Sequence, residues 1–398
     1  MKKKYLSVFA LVLTASIAFS THSTLALDSV AQPTTTTPPA STSTGTTTLG
    51  SAPSASTADP ATPPEDTSTL NLSLEDALKA METGNSALKL ADSKLLIYDK
   101  QSQQDLARHD ANTAVVDEDS KKERDLNYKR SQWTLDNAKH DRDTQLKALK
   151  AQITNEYESV LNLQQQADNL KTQLANLDTV INQVNLQIKL GLKVPSDIYS
   201  YNAQKSKLEA AQKAVLNSID SSMISLKEDL GIDINRNVVL TSTLIQYAKF
   251  DDSDINNEIA KAIQNNYDIQ RYKQDIDITQ IEYDIDFEYS DPTADQIQLS
   301  IEDKKATLAT LSTTQEVGLR TAYNGLKSLE NTIEADKLTV EADQINVNVM
   351  QKSIDVGKSS SLEMIALQNT LLNDQYTLQQ DVNAYMTAAT NFQNSLDN

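Results

Sequence analysis

Beyond Thr69 the chain carries only two prolines, Pro195 and Pro292, and six glycines, Gly84, Gly191, Gly231, Gly318, Gly325 and Gly357. So few breakers over so long a stretch predict long α-helices. Two of the glycines lie in a segment that occurs twice. Lys189-Leu190-Gly191-Leu192-Lys193-Val194-Pro195-Ser196-Asp197 returns as Asp355-Val356-Gly357-Lys358-Ser359-Ser360-Ser361-Leu362-Glu363. In each copy glycine supplies a left-handed helix stop, and an acceptor or acidic group beyond it favours a new helix N-terminus. Both copies therefore predict the tip of a helical hairpin. Asp197 and Glu363 stand at equal distances after their glycines, and Tyr157 and Tyr323 at equal distances before them.

Composition narrows the function. The formal net charge of −19 argues against nucleic acid and anionic lipid as partners. The absence of cysteine excludes disulfides, thiolate metal sites and thiol catalysis. Lys2, Lys3 and Lys4, the apolar run from Leu6 to Phe19, and small-residue sites ending at Ala26 or Ala31 predict a signal peptide over residues 1–26. Residues 27–69 hold seven of the nine prolines among threonine, serine and alanine. That composition predicts a disordered tether. No later segment reaches the roughly 18 apolar residues of a membrane helix.

The rest divides into a first helical repeat (70–232), a connector (233–253) and a second repeat (254–398). Ser73 and Asp76 form a near capping box ahead of Leu74, Leu78, Met81, Leu88, Leu95 and Leu96 at helical spacing. A second helix is expected from near Ser120 to Leu190. Its seam of Val160, Leu163, Ala167, Leu170, Leu174, Leu177, Ile181, Val184 and Ile188 alternates steps of three and four, as in a coiled coil. A return helix runs from about Ser196 to Leu230. At 1.5 Å per residue the long helix spans about 100 Å and each short one about 50–60 Å, so two short helices laid end to end match one long helix. Asn237 to Thr241 and Leu244 to Tyr247 have strand-like composition. From Asp251 the pattern restarts, with Pro292 as its one interruption and with Leu326, Leu329, Ile333, Val340, Val347, Met350 and Ile354 on the second seam. The fold class predicted is mainly α: long antiparallel hairpins in two tandem repeats, with a small strand-containing connector.

This duplicated plan resembles the TolC-like outer membrane efflux proteins. The matching residues are Leu72 to Leu78 with Gly84-Asn85-Ser86-Ala87-Leu88, Asn265-Asn266-Tyr267-Asp268-Ile269, Tyr157 and Tyr323, the Leu190-Gly191-Leu192 and Val356-Gly357 tips, and Ser361 to Gln368. The resemblance implies a homotrimeric α-barrel in the cell envelope. Its hairpin tips would dock a periplasmic membrane-fusion adaptor connected to an inner-membrane pump, ABC or proton-driven. On that reading the docking residues are Gly191, Leu192, Val194, Pro195, Asp197, Val356, Gly357 and Ser359, and Glu363 is the acidic residue at the tunnel mouth. Ile354, Ser359 and Ala366 depart from the tyrosine, arginine and second acid of family gates. Family members also insert two β-hairpins that close a membrane barrel. Neither Asp110 to Asp119 nor Ser290 to Ala294 offers two strands of the required roughly 9–11 residues, which predicts a member without the barrel.

No nucleophile, base or metal constellation is present, so neither an enzyme nor a cofactor is expected. Asp284-Ile285-Asp286-Phe287-Glu288 has a calcium-like spacing but lacks the EF-hand glycine and glutamate, which are Tyr289 and Asp295 here. His109 and His140 are expected in surface or packing roles and Trp133 in a core or interface, and Asp336 and Asp343, at seam-equivalent positions of the second repeat, are expected on solvated helix faces rather than lining a tunnel. The alternative function is a secreted coiled-coil spacer or scaffold with no part in transport.

Overall fold

The computed structural model describes residues 68–397 except 113 and 360; the predicted signal peptide and nearly all of the predicted tether lie outside the described residues. The fold begins with a short strand β1 (Leu70–Leu72) and helix α1 (Leu74–Gly84). Ser73 caps α1 by accepting from the Asp76 amide at 3.1 Å. Asn85 then ends α1 and starts α2 (Ser86–Asp110), because its side chain accepts from the Ala87 and Leu88 amides while its backbone is extended. The apolar spacing from Leu74 to Leu96 runs through this break and does not signal it. Helix α3 (Glu118–Asp125) is capped reciprocally by Asp117 and Ser120. Instead of one run from Ser120, a break at the fully buried Leu126 separates α3 from α4 (Asn127–Lys189). A single 3-10 turn, Pro195–Asp197, leads into α5 (Ile198–Leu230), which stops at Gly231 with φ +67°.

One connector strand forms, β2 (Val238–Leu240), and it pairs in parallel with β1, Leu70 opposite Val238 and Leu72 opposite Leu240. Leu244 to Tyr247 is not a strand. Its backbone is taken up by side chains: the Ile245 amide donates to Glu158 at 2.9 Å and the Ile245 carbonyl accepts from Gln379 at 3.2 Å. The second repeat follows as α6 (Ile255–Asn265), α7 (Tyr267–Glu288), α8 (Ala294–Asp355) and α9 (Ser361–Leu396). Asn266 performs the Asn85 role, accepting from the Ile269 amide at 3.2 Å. The duplication is metric as well: α1 and α6 each have 11 residues, and α4 and α8 have 63 and 62.

At 1.5 Å per residue α4 is about 95 Å long, and α2 and α5 both pack along it while α1 touches both α4 and α5. The ends of α1 and α5 meet at Gly84 and Gly231. A Cβ at Gly84 would lie 2.1 Å from the Leu230 carbonyl oxygen, and one at Gly231 would lie 2.6 Å from the Gly84 oxygen. Asn85 Nδ2 donates to the Asp229 carbonyl at 2.9 Å and pins the crossing. One core surrounds it, with Met81, Leu88, Ile153, Tyr157, Leu226 and Leu230 all buried. The second repeat has its own core of Ile259, Leu319, Leu326, Ile333, Tyr385 and Phe392. The repeated tyrosines grip the segments that lead into α1 and α6. Tyr157 donates to the Leu72 carbonyl at 2.7 Å and accepts from the Thr241 and Ser242 amides, and Tyr323 donates to Asp252 at 2.7 Å.

At the opposite end from the tips, the α2–α3 and α7–α8 junctions contain no strand among the described residues. Lys122 closes this end, reaching Glu118 and, at 2.7 Å, the buried Asp286. Asp286 also accepts from Thr293 at 2.9 Å. Glu118, Asp286 and Asp291 lie close enough to hold a cation, but the Lys122 ammonium already supplies the positive charge there. Asp284, Asp286 and Glu288 ride on helix α7 rather than converging as a calcium loop. His109 stacks on Tyr128, His140 stacks on Tyr267, and Trp133 Nε1 donates to the Arg271 carbonyl.

Candidate functional site

Each tip closes by the same left-handed turn. Gly191 has φ +71° and Gly357 φ +70°. The following amides reach back five residues, Leu192 to the Gln187 carbonyl and Lys358 to the Ser353 carbonyl, both at 2.8 Å. This satisfies carbonyls that a helix end leaves open. Neither glycine has a neighbour within 4 Å of a Cβ position, so the requirement for glycine there is backbone conformation alone.

The first tip exposes Leu192, Val194 and Pro195, and the second exposes Val356, while Asp197 and Ser359 are half-buried and Glu363 is exposed. Asp197 makes no side-chain cap to α5; the 3-10 turn at Pro195 does that work through the bond from the Asp197 amide to the Val194 carbonyl. Ile365, just past the second tip, packs on the small core of Leu177, Val180 and Val184 in the first hairpin. Both tips therefore lie at one end of the molecule, and together they present Leu190, Leu192, Val194 and Val356 to solvent.

Along the distal half the helices lie in the order α5, α4, α9, α8. Helix α8 carries Leu338, Ile345 and Val349, with Val356 at its C-cap, each more than half exposed and spaced by seven, four and seven. That is coiled-coil spacing with no partner among the described residues.

The central α4–α9 seam was not foreseen from sequence, because it is built of amides. Asn169 donates to the Leu372 carbonyl at 3.2 Å, Gln173 to Asn373 at 3.1 Å, and Asn383 to Asn155 at 3.4 Å. Asn162, Asn169 and Gln173 are buried, and the signal that could have exposed them is their step of seven and four on the face beside the apolar seam.

Asp336 and Asp343 differ from the sequence expectation of solvated faces. They are half-buried between α8 and α9, Asp336 against Asp381 and Asp343 against Asp374. Burial is the leading cause that pushes Asp381 up to about 6, with contact to Asp336 adding to it, and burial with contact to Asp343 raises Asp374. A third carboxylate pair, Glu156 and Asp229, shares Gln152 at 2.9 and 2.8 Å. Burial lifts Glu156 to about 7. A groove of about 340 Å³ between α4, α7 and α8 is lined by Arg130, Trp133, Asp275, Glu282 and Lys304, whose charges pair among themselves.

No protein-family model matches the sequence, and no curated protein resembles it at the sequence level. Solved structures do match. The outer membrane channel CmeC of Campylobacter jejuni aligns with a TM-score of 0.65 at 10% identity, over 81% of this chain and 85% of that one. The outer-membrane channel OprN aligns at 0.64 and 10%, over 81% and 89%. The open state of the MtrE outer membrane channel of Neisseria gonorrhoeae aligns at 0.60 and 9%, over 81% and 88%. These neighbours are channels rather than enzymes, and among the described residues no helix is long and apolar enough to cross a membrane. The likeness is one of fold: the chain is built on the duplicated helical-hairpin plan of the TolC-like outer membrane channels.

Proposed function

We propose that the protein is a conduit component of an export system in the cell envelope. It is exported by its N-terminal signal, assembles as a homotrimer, and docks through its hairpin tips to a membrane-fusion adaptor of an inner-membrane pump. The observation that carries this reading is the pairing of two equivalent apolar tips at one end with an unpartnered heptad edge along α8. Covering Leu338, Ile345, Val349 and Val356 with a second copy removes a stripe that water would otherwise face, and three copies of two repeats make a closed ring in channels of this fold. The docking set is Gly191, Leu192, Val194, Pro195, Asp197, Val356, Gly357 and Ser359, with Glu363 at the mouth of the assembly.

Light scattering on the chain from Leu27 onward tests the assembly. A trimer that L338D/I345D converts to monomer supports it, and a wild-type monomer at high micromolar concentration favours the spacer reading. A photo-crosslinker at Leu192 or Val356 in the source cell tests docking. Capture of a coiled-coil adaptor, identified by mass spectrometry and lost in G191V/G357V with the helical circular dichroism signal retained, supports it. Full export by that double variant overturns it.

A further inference from the structure

The offset that carries Gly191 onto Gly357 and Tyr157 onto Tyr323 also carries Leu170, Leu177, Leu208 and Val215 onto Asp336, Asp343, Asp374 and Asp381. In the first repeat these are seam positions, and Leu177 and Leu208 share one apolar cluster. In the second repeat two successive layers of the same seam are aspartate facing aspartate, Asp336 with Asp381 and Asp343 with Asp374. Asp336 and Asp343 each hold a carboxylate oxygen shut off from solvent that no protein donor reaches. Two facing carboxylates are both acceptors, so a hydrogen bond between them requires that one carry a proton.

Among the described residues no counter-charge acts on these pairs. The causes acting on Asp374 and Asp381 are burial and other aspartates. Lys337, the adjoining cation on α8, is turned to Glu334 at 2.9 Å and to the face of Tyr247. Helix α4, packed on the other side of α9, presents the amides Asn162, Gln166, Asn169 and Gln173 and a further buried acid, Glu158, which accepts from the Ile245 amide, while its Asp168 and Lys171 are exposed. Helix α6 meets α9 nearer the chain end, through Ile259 and Ala262.

We propose that the α8–α9 seam is a proton-operated latch: shared protons zip the second hairpin, and their loss loosens it while the first hairpin, with leucine and valine in the same layers, stays closed. The sign follows from linkage. A carboxylate raised in the folded state binds its proton more tightly folded than unfolded, so the seam is strongest below the ordinary carboxylate range and weakens as pH rises through about 6. This concerns the protomer itself and stands whether or not the chain docks an adaptor.

The chain has no cysteine, so spin labels can be placed at T339C and T377C, exposed positions on either side of the seam. Double electron–electron resonance on the chain from Leu27 should give one narrow distance at pH 5 that broadens by pH 8. The D336N/D343N/D374N/D381N variant, in which neutral amides replace the protonated pairs, should stay narrow at both. So should D336L/D343L/D374L/D381V, which copies the first repeat and serves if the asparagine variant fails to fold. A wild-type distance that does not change with pH, or a folded variant that broadens as the wild type does, overturns the proposal.

Discussion

Gly84→Ala is the most demanding test of how the repeat is assembled. Helix propensity alone favours alanine by about 1 kcal/mol, so an isolated α1 would gain. In the fold the new methyl would sit 2.1 Å from the Leu230 carbonyl oxygen, a backbone atom, and α1 and α5 must part by roughly 1 Å to restore ordinary contact. Parting them stretches the Asn85–Asp229 hydrogen bond, worth about 1 kcal/mol. It also unseats Met81, Leu88 and Leu230, each at 0–1% exposure, at an overpacking cost of about 1–3 kcal/mol. The net is a loss of about 1–3 kcal/mol, which for a chain of this size lowers the melting temperature by roughly 1–5 °C. Thermal unfolding followed by circular dichroism at 222 nm reads it directly. Gly325→Ala is the control, since nothing lies within 4 Å of its Cβ position and it should gain up to about 1 kcal/mol. A Gly84→Ala protein that melts at or above wild type would show that the crossing is not held by backbone contact.

Tyr157→Phe strips the donor to Leu72 and the acceptor for two amides, and should cost about 2 kcal/mol in urea unfolding; an unchanged midpoint counts against the clamp. Lys122→Met leaves the buried Asp286 carboxylate without its ammonium and should cost about 2 kcal/mol, below the usual range for a broken buried pair because Lys122 is a quarter exposed. Glu156, raised to about 7, adds stability at low pH that is lost as pH rises through that value. The difference in melting temperature between wild type and Glu156→Gln should therefore change between pH 6 and 8, and a constant difference would remove Glu156 from the pH response.

The repeat, its helices and both left-handed glycines were legible because breakers are scarce and apolar spacing is regular. The asparagine hinges were not. Asn85 and Asn266 were visible as matching residues, but whether such a side chain caps a new helix or faces solvent is decided by the crossing with α5, which no local pattern encodes. Strand β1 was hidden for a similar reason: Leu70–Leu72 becomes a strand only because Val238–Leu240 arrives beside it. The aspartates of α8 were read as solvated because aspartate ordinarily is. Their partners lie on α9 at positions that only antiparallel register brings opposite. The two glycine turns at the tips were legible, while the amide seam of α4 was obscured by the apolar seam one face over.

The distribution of packing along the protomer has a mechanical meaning. Both large apolar cores, the parallel strand pair and the tyrosine clamps gather around the connector. Toward the tips the contacts thin to one small apolar cluster, a row of amides and the paired acids. Apolar interdigitation resists sliding, whereas amides exchange one hydrogen-bond partner for another at little net cost. The molecule thus has a stiff root and a more compliant tip end, where the two hairpins stay joined by the amide seam of α4 and α9 and bending is taken up before it reaches the root.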